Sequence, residues 1–125
     1  MSPVRILCVD DDARINELNE IVLTRAGYQV ELATGPPEAL DLFKTKSFDL
    51  VVTDLFSLDS SDTAFIKTLR SLVPDVPVIV VSGNHSPSPE VLKLADAFVM
   101  KAYSLNALTD AVREVLTREK LRRIG

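Results

Sequence analysis

The chain has 125 residues, is 46% hydrophobic and 26% charged, and carries a net charge of -4. That is the length of one ordinary domain, with enough apolar residues for a packed core, and it excludes a disordered chain. An acidic balance, with pI near 4.9, argues against a general nucleic-acid or membrane-surface binder, and the single cysteine, Cys8, excludes an internal disulfide framework.

Met1 leads almost directly into a charged, strand-like segment. No signal peptide or apolar run of membrane-spanning length follows, so a soluble cytoplasmic protein is expected. Val4 to Val9 is a short apolar run rich in β-formers. Ile15, Leu18, Ile21 and Val22 then recur at helical spacing, with Gly27 as the stop. Tyr28 to Ala33 reads as a second strand. Pro36-Pro37 opens a second helix, with Ala39, Leu40 and Phe43 inward. Phe48 to Thr53 is a third strand, ending at Asp54, and Phe65, Leu69 and Leu72 mark a third helix. Pro77 to Ser82 is a fourth strand. Ser88-Pro89 has the form of a cap followed by proline at the first helical position, predicting a short fourth helix to about Leu94. Ala97 to Met100 is a fifth strand. Ser104 would cap a long last helix with Leu105, Leu108, Val112, Val115 and Leu116 inward.

Five β-then-α units imply an α/β fold: a parallel sheet with helices on both faces. Nothing in the pattern splits the chain, so 1–125 is expected to be a single domain. In such sheets ligands bind beyond the carboxyl ends of the strands. There the sequence places Asp10, Asp11 and Asp12 after strand 1 and Asp54 after strand 3. Ser82 and Gly83 follow strand 4, and Lys101 follows strand 5. Adjacent carboxylates repel, and a divalent cation would relieve that. Few hard oxygen ligands with room for water suit Mg²⁺, and Mg²⁺ in turn suggests phosphate. An aspartate beside a metal can itself attack phosphorus. Taken singly, the same residues have plainer roles: Asp12 as a helix cap, Asp54 as a turn residue, Ser82 as a cap, Lys101 as a surface lysine, Phe98 as core. His85 reads as an exposed loop residue, and one histidine makes no metal cluster. Cys8 reads as a small buried strand residue.

Taken together, ILCVDDD, DLVVTDL, VIVVSG and FVMK, in this order and spacing, resemble the receiver domain of bacterial two-component response regulators. The resemblance covers essentially the whole chain. It implies a flavodoxin-like (βα)5 sandwich with sheet order 2-1-3-4-5. It also implies that Asp54 is the phosphoacceptor and that Asp10 and Asp11 are the acidic pair for Mg²⁺, with Asp54 and the Phe56 backbone carbonyl as further ligands. Ser82 would match the switch hydroxyl, Gly83 the small residue that leaves room for the phosphoryl group, and Lys101 its partner cation. Phe98 would match the aromatic whose rotamer follows phosphorylation. The implied partners are a histidine kinase or phosphotransfer protein, and an output domain or second copy meeting the face of helix 4, strand 5 and helix 5.

The sequence departs from the family pattern at three places. Leu58 and Asp62 stand where a proline and a glycine are usual. Ala102 follows Lys101 in place of proline, and a cis bond before alanine costs far more. The stretch between Ser82 and Phe98 is shortened. These departures keep open a degenerate receiver that acts as a phosphorylation-independent docking or dimerisation module. A small Asp/Mg phosphohydrolase is a further alternative, although Asp10-Asp11-Asp12-Ala13-Arg14 lacks the D-x-D-x-Thr/Val arrangement. Residues 117–125 read as the end of the last helix or the start of a linker.

Overall fold

A computed structural model of the protein describes residues 3–54, 61–82, 88–100 and 105–124. Among the described residues, five strands alternate with five helices: β1 (Arg5–Val9), α1 (Ala13–Arg25), β2 (Gln29–Ala33), α2 (Pro36–Thr45), β3 (Leu50–Asp54), α3 (Ser61–Leu72), β4 (Val78–Ser82), α4 (Pro89–Leu94), β5 (Ala97–Met100) and α5 (Leu105–Ile124). The strands form one parallel sheet in the order 2-1-3-4-5, as expected. No helix among the described residues is long and apolar enough to cross a membrane.

Alternation along the strands divides the core in two. On one face Leu7, Val9, Val51, Val78 and Val80 pack with Ala39 of α2, Phe65, Ile66 and Leu69 of α3, and Val91 of α4. On the other, Ile6, Cys8, Leu50, Val52, Ile79, Val81 and Val99 pack with Leu23 of α1 and Leu108, Val112 and Val115 of α5. β1, β3 and β4 are buried on both faces, which is why their sequences read as unbroken apolar runs.

In two helices the apolar residues that mark the spacing are not the ones that the fold buries. In α1 the buried residues are Asn16 and Leu23, whereas Leu18 and Ile21 are 40% and 48% exposed. In α3, Ile66 is buried beside Phe65 and Leu69, and Leu72 is exposed. Both helices carry more apolar positions than one face can hold, so spacing alone admits two neighbouring stripes. The ends follow their local chemistry. Asp12 is the N-cap of α1, its carboxylate accepting from the Arg14 amide. Ser88 caps α4, with Pro89 in the first turn. Gly27 follows α1 with φ of 102°, a left-handed conformation that suits glycine.

At the edge where β4 and β5 begin, a polar clamp joins four elements. Arg70, in the last turn of α3, donates to the carbonyl of Val76, to the carbonyl of Leu94 at 2.8 Å and to the Asp96 carboxylate at 2.8 Å. The same Asp96 oxygen accepts the Val78 amide at 2.7 Å. From α5, Arg118 reaches the Asp96 carbonyl at 3.1 Å.

Candidate functional site

Register brings the strand ends together. Val9 lies beside Thr53, Asp54 beside Val81, and Ser82 beside Met100. The residue after β1 and the last residue of β3 therefore lie at one level on one edge of the sheet. There Asp10, Asp11 and Asp54 each offer a carboxylate oxygen, and these oxygens lie within 4.8 Å of one another. Asp10 is buried, Asp54 half-buried and Asp11 exposed. Ser82 is 1% exposed at the end of β4.

The turn from β1 to α1 is closely held. The Asp10 amide donates to the Ala33 carbonyl at 3.1 Å, continuing the β1–β2 ladder past the strand. One Asp10 carboxylate oxygen accepts the Asp12 amide at 2.9 Å. The Asn16 carboxamide donates to the Asp10 and Ala33 carbonyls, both at 3.0 Å. Asn16 is the residue at this site that sequence reasoning misses. The signal available is a polar side chain two positions after the first-turn Arg14, lying in the same register as Leu23.

Three carboxylates this close repel, and the buried Asp10 and half-buried Asp54 also lose part of their hydration. That donor set fits a hard divalent cation: oxygen only, convergent, with one member open to solvent. The nearby soft ligand does not compete. The Cys8 thiol, one strand residue back from Val9, is pushed up from its ordinary 9.0 to about 12 by burial, with the charges of Glu20 and Asp10 adding to the shift. It stays a neutral packing group. Asp12 serves the helix instead of the cluster. The Arg14 amide that it caps lowers its pKa, and the Arg14 guanidinium is also paired to it at 3.6 Å.

Of the other residues singled out in the sequence, Phe98 is half-buried and packs against the cluster containing Val80 and Val91. Phe56, Gly83, His85, Lys101 and Ala102 lie outside the described residues. A groove of about 800 Å³ runs between the second half of α1 and the edge strand β2, lined by Ile21, Tyr28, Arg5 and Glu31 among others. None of the three clustered acids lines it, so this hollow and the acid chemistry are separate features.

A parallel 2-1-3-4-5 sheet with acids gathered at the carboxyl ends of β1 and β3 defines a class: α/β domains whose site lies at the switch in strand order. The family follows from the comparison of sequences. The chain belongs to the response regulator receiver domains, whose family model matches residues 6–113. It is 37% identical over 119 residues to the response regulator MprA of Mycobacterium sp. (strain KMS), a match covering 93% of this chain and 52% of that protein. MprA of Mycobacterium bovis (strain ATCC BAA-935 / AF2122/97) is 35% identical over 120 residues, with 94% and 52% covered. The chain thus spans about half the length of these curated relatives. Among solved structures, the CheY-like receiver domain protein of Methanospirillum hungatei JF-1 superposes with a TM-score of 0.88 at 31% identity, covering 97% of this chain and 99% of that one. The response regulator TrrA of Thermotoga maritima, solved in complex with Mg(2+)-BeF, gives 0.80 at 29% identity, covering 90% and 98%. The fold is thus that of a two-component signalling domain.

Proposed function

We propose that this receiver accepts a phosphoryl group on Asp54 from a histidine kinase or phosphotransfer protein, in a Mg²⁺-dependent reaction, and thereby changes a partner-binding face. The observation that carries this reading is the convergence of Asp10, Asp11 and Asp54 within 4.8 Å. Support comes also from the TrrA structure, whose bound group is Mg(2+)-BeF.

The carboxylates of Asp10, Asp11 and Asp54, with the backbone carbonyl of Phe56, would hold the metal. When bound, Mg²⁺ supplies positive charge to phosphoryl oxygens. Asp54 does the bond-making: its carboxylate oxygen attacks phosphorus as the phosphorus–nitrogen bond of the phosphohistidine breaks, leaving an acyl phosphate on the chain and a histidine on the donor. Lys101 pairs with the transferred group, the Ser82 hydroxyl hydrogen-bonds to it, and Gly83 leaves it room. The acyl phosphate biases an existing equilibrium, with Ser82 drawn in and Phe98 turning inward. The face of α4, β5 and α5 then meets an output domain or a second copy. In this reading 1–125 is one receiver domain working in the cytoplasm, a phosphoacceptor and not a turnover enzyme, and it contacts neither nucleic acid nor membrane directly.

Intact mass after incubation with a small phosphodonor tests it, with and without Mg²⁺, for wild type and Asp54→Ala. The expected result is a Mg²⁺-dependent gain of one phosphoryl group that the variant lacks. No gain under any condition would favour the phosphorylation-independent docking module, with Leu58, Asp62 and Ala102 as the reason. Continuous release of phosphate from esters would favour the phosphohydrolase.

A further inference from the structure

Asn16 is 3% exposed, inside a helix whose inward row would ordinarily be apolar. Its amide orientation is fixed by its neighbours. The NH₂ group faces two carbonyl oxygens, of Asp10 and Ala33, and the reverse orientation would set oxygen against oxygen twice. Its own oxygen, Oδ1, is buried and meets no hydrogen-bond partner among the described residues. An unpaired buried acceptor is destabilising. An apolar side chain of the same size would avoid that penalty but would forfeit both donated bonds, so the asparagine is explained by what its NH₂ group holds.

What the carboxamide does accomplish is local. It ties the carbonyl of Asp10 to the end of β2 and to the second turn of α1. Between Asp10 and Asn16 the chain also closes bonds from Asp12 to Asp10 at 2.9 Å, from Arg14 to Asp12 at 2.9 Å, and from the Asn16 amide to the Asp12 carbonyl at 3.1 Å. Asp11, the exposed member of the acid cluster, lies within this braced turn. We propose that Asn16 is a positioning residue for the acid cluster, holding the turn so that Asp10 and Asp11 converge on Asp54 and bind a divalent cation. This rests on the metal reading given above. Groups that orient ligands from behind commonly alter metal affinity by about 10–100-fold when removed.

The test compares wild type with Asn16→Leu, similar in size but without donors, and Asn16→Gln, which keeps them. Asn19→Leu is the control, three residues further along the same helix and half-buried. Mg²⁺ binding is read by titration calorimetry, and amide exchange at Asp10 and Asp12 is read by NMR in metal-free buffer. The expected result is a Mg²⁺ dissociation constant raised about tenfold or more in Asn16→Leu, with faster exchange at both amides. Asn16→Gln should recover much of the affinity, and Asn19→Leu should bind as wild type does. A folded Asn16→Leu chain that binds Mg²⁺ within about twofold of wild type would overturn the inference. If that chain does not fold, Asn16→Ser, also lacking the carboxamide, replaces it with the same expectation. If the wild type takes up no Mg²⁺, the metal reading fails, and exchange decides the positioning role: unchanged protection at Asp10 and Asp12 would sink it.

Discussion

Neutralising Asp54 should stabilise the metal-free protein. At 4.8 Å, the outer limit for the three convergent oxygens, two unit charges repel by about 0.9 kcal/mol in bulk water. At an effective dielectric of about 20 the figure is about 3.5 kcal/mol. Asp54→Asn removes two such repulsions. The exposure of Asp11 favours the watery limit for one of them, and Asp54 makes further interactions within the fold that the variant also changes. The expected net gain is therefore at the low end, about 1–2 kcal/mol. Urea unfolding followed by circular dichroism, in buffer with EDTA, reads this directly as a shift in midpoint at constant slope. Adding Mg²⁺ should then favour the wild type: a ligand at about a hundred times its dissociation constant stabilises by about 2.7 kcal/mol. The variant, with a neutral amide oxygen in place of one carboxylate, should gain less, so the two curves should converge and cross. An Asp54→Asn chain no more stable than wild type in EDTA would mean that the acids do not strain the apo fold, and the case for a missing cation would lose its physical basis.

Three further outcomes are expected. Asp96→Ala removes the charged acceptor among the three of the Arg70 guanidinium, and the side-chain acceptor of the Val78 amide, which should cost about 2–4 kcal/mol in urea unfolding. Arg70→Met should cost a similar amount, and the double variant should cost clearly less than the sum of the two. Cys8, with a pKa of about 12 folded against 9.0 ordinarily, adds pH dependence on the alkaline side only. Below the ordinary thiol pKa both states hold the neutral group; above it the unfolded chain releases its proton first. Stability should then fall with pH until about 12, by up to about 1.4 kcal/mol per unit from this group, and the difference between wild type and Cys8→Ala should shrink over that window. Gly27→Ala meets no atom within 4 Å of the new methyl group, so its cost should be the backbone strain alone, about 1–2 kcal/mol by thermal unfolding.

Much of this architecture is legible in the sequence because the central strands are buried on both sides. Val78 to Val81 cannot be read as amphipathic, and its length forbids a helix. Acids and a serine placed at the ends of such runs must come to one edge. The N-caps Asp12 and Ser88 are legible because capping is a local matter of side chain and nearby amide. Helix faces are harder. In α1 the apolar residues Ile15, Leu18, Ile21, Val22 and Leu23 offer two overlapping stripes, and the sheet takes the one that includes a polar residue. Nothing local announces that choice, since it depends on carbonyls at Asp10 and Ala33 that only the folded sheet brings within reach of Asn16. The Arg70–Asp96 pair is opaque in the same way: its 26-residue separation carries no periodicity.

The clamp also has a mechanical consequence for α4. That helix has six residues, about 9 Å of length, and its last carbonyl, at Leu94, is gripped by a guanidinium seated in the neighbouring helix and braced by a carboxylate. A short rod pinned at one end can swing but cannot slide. Whatever displaces the opening turn near Ser88 therefore becomes rotation about Leu94, largest at the end beside the acid-bearing edge and smallest at the far one.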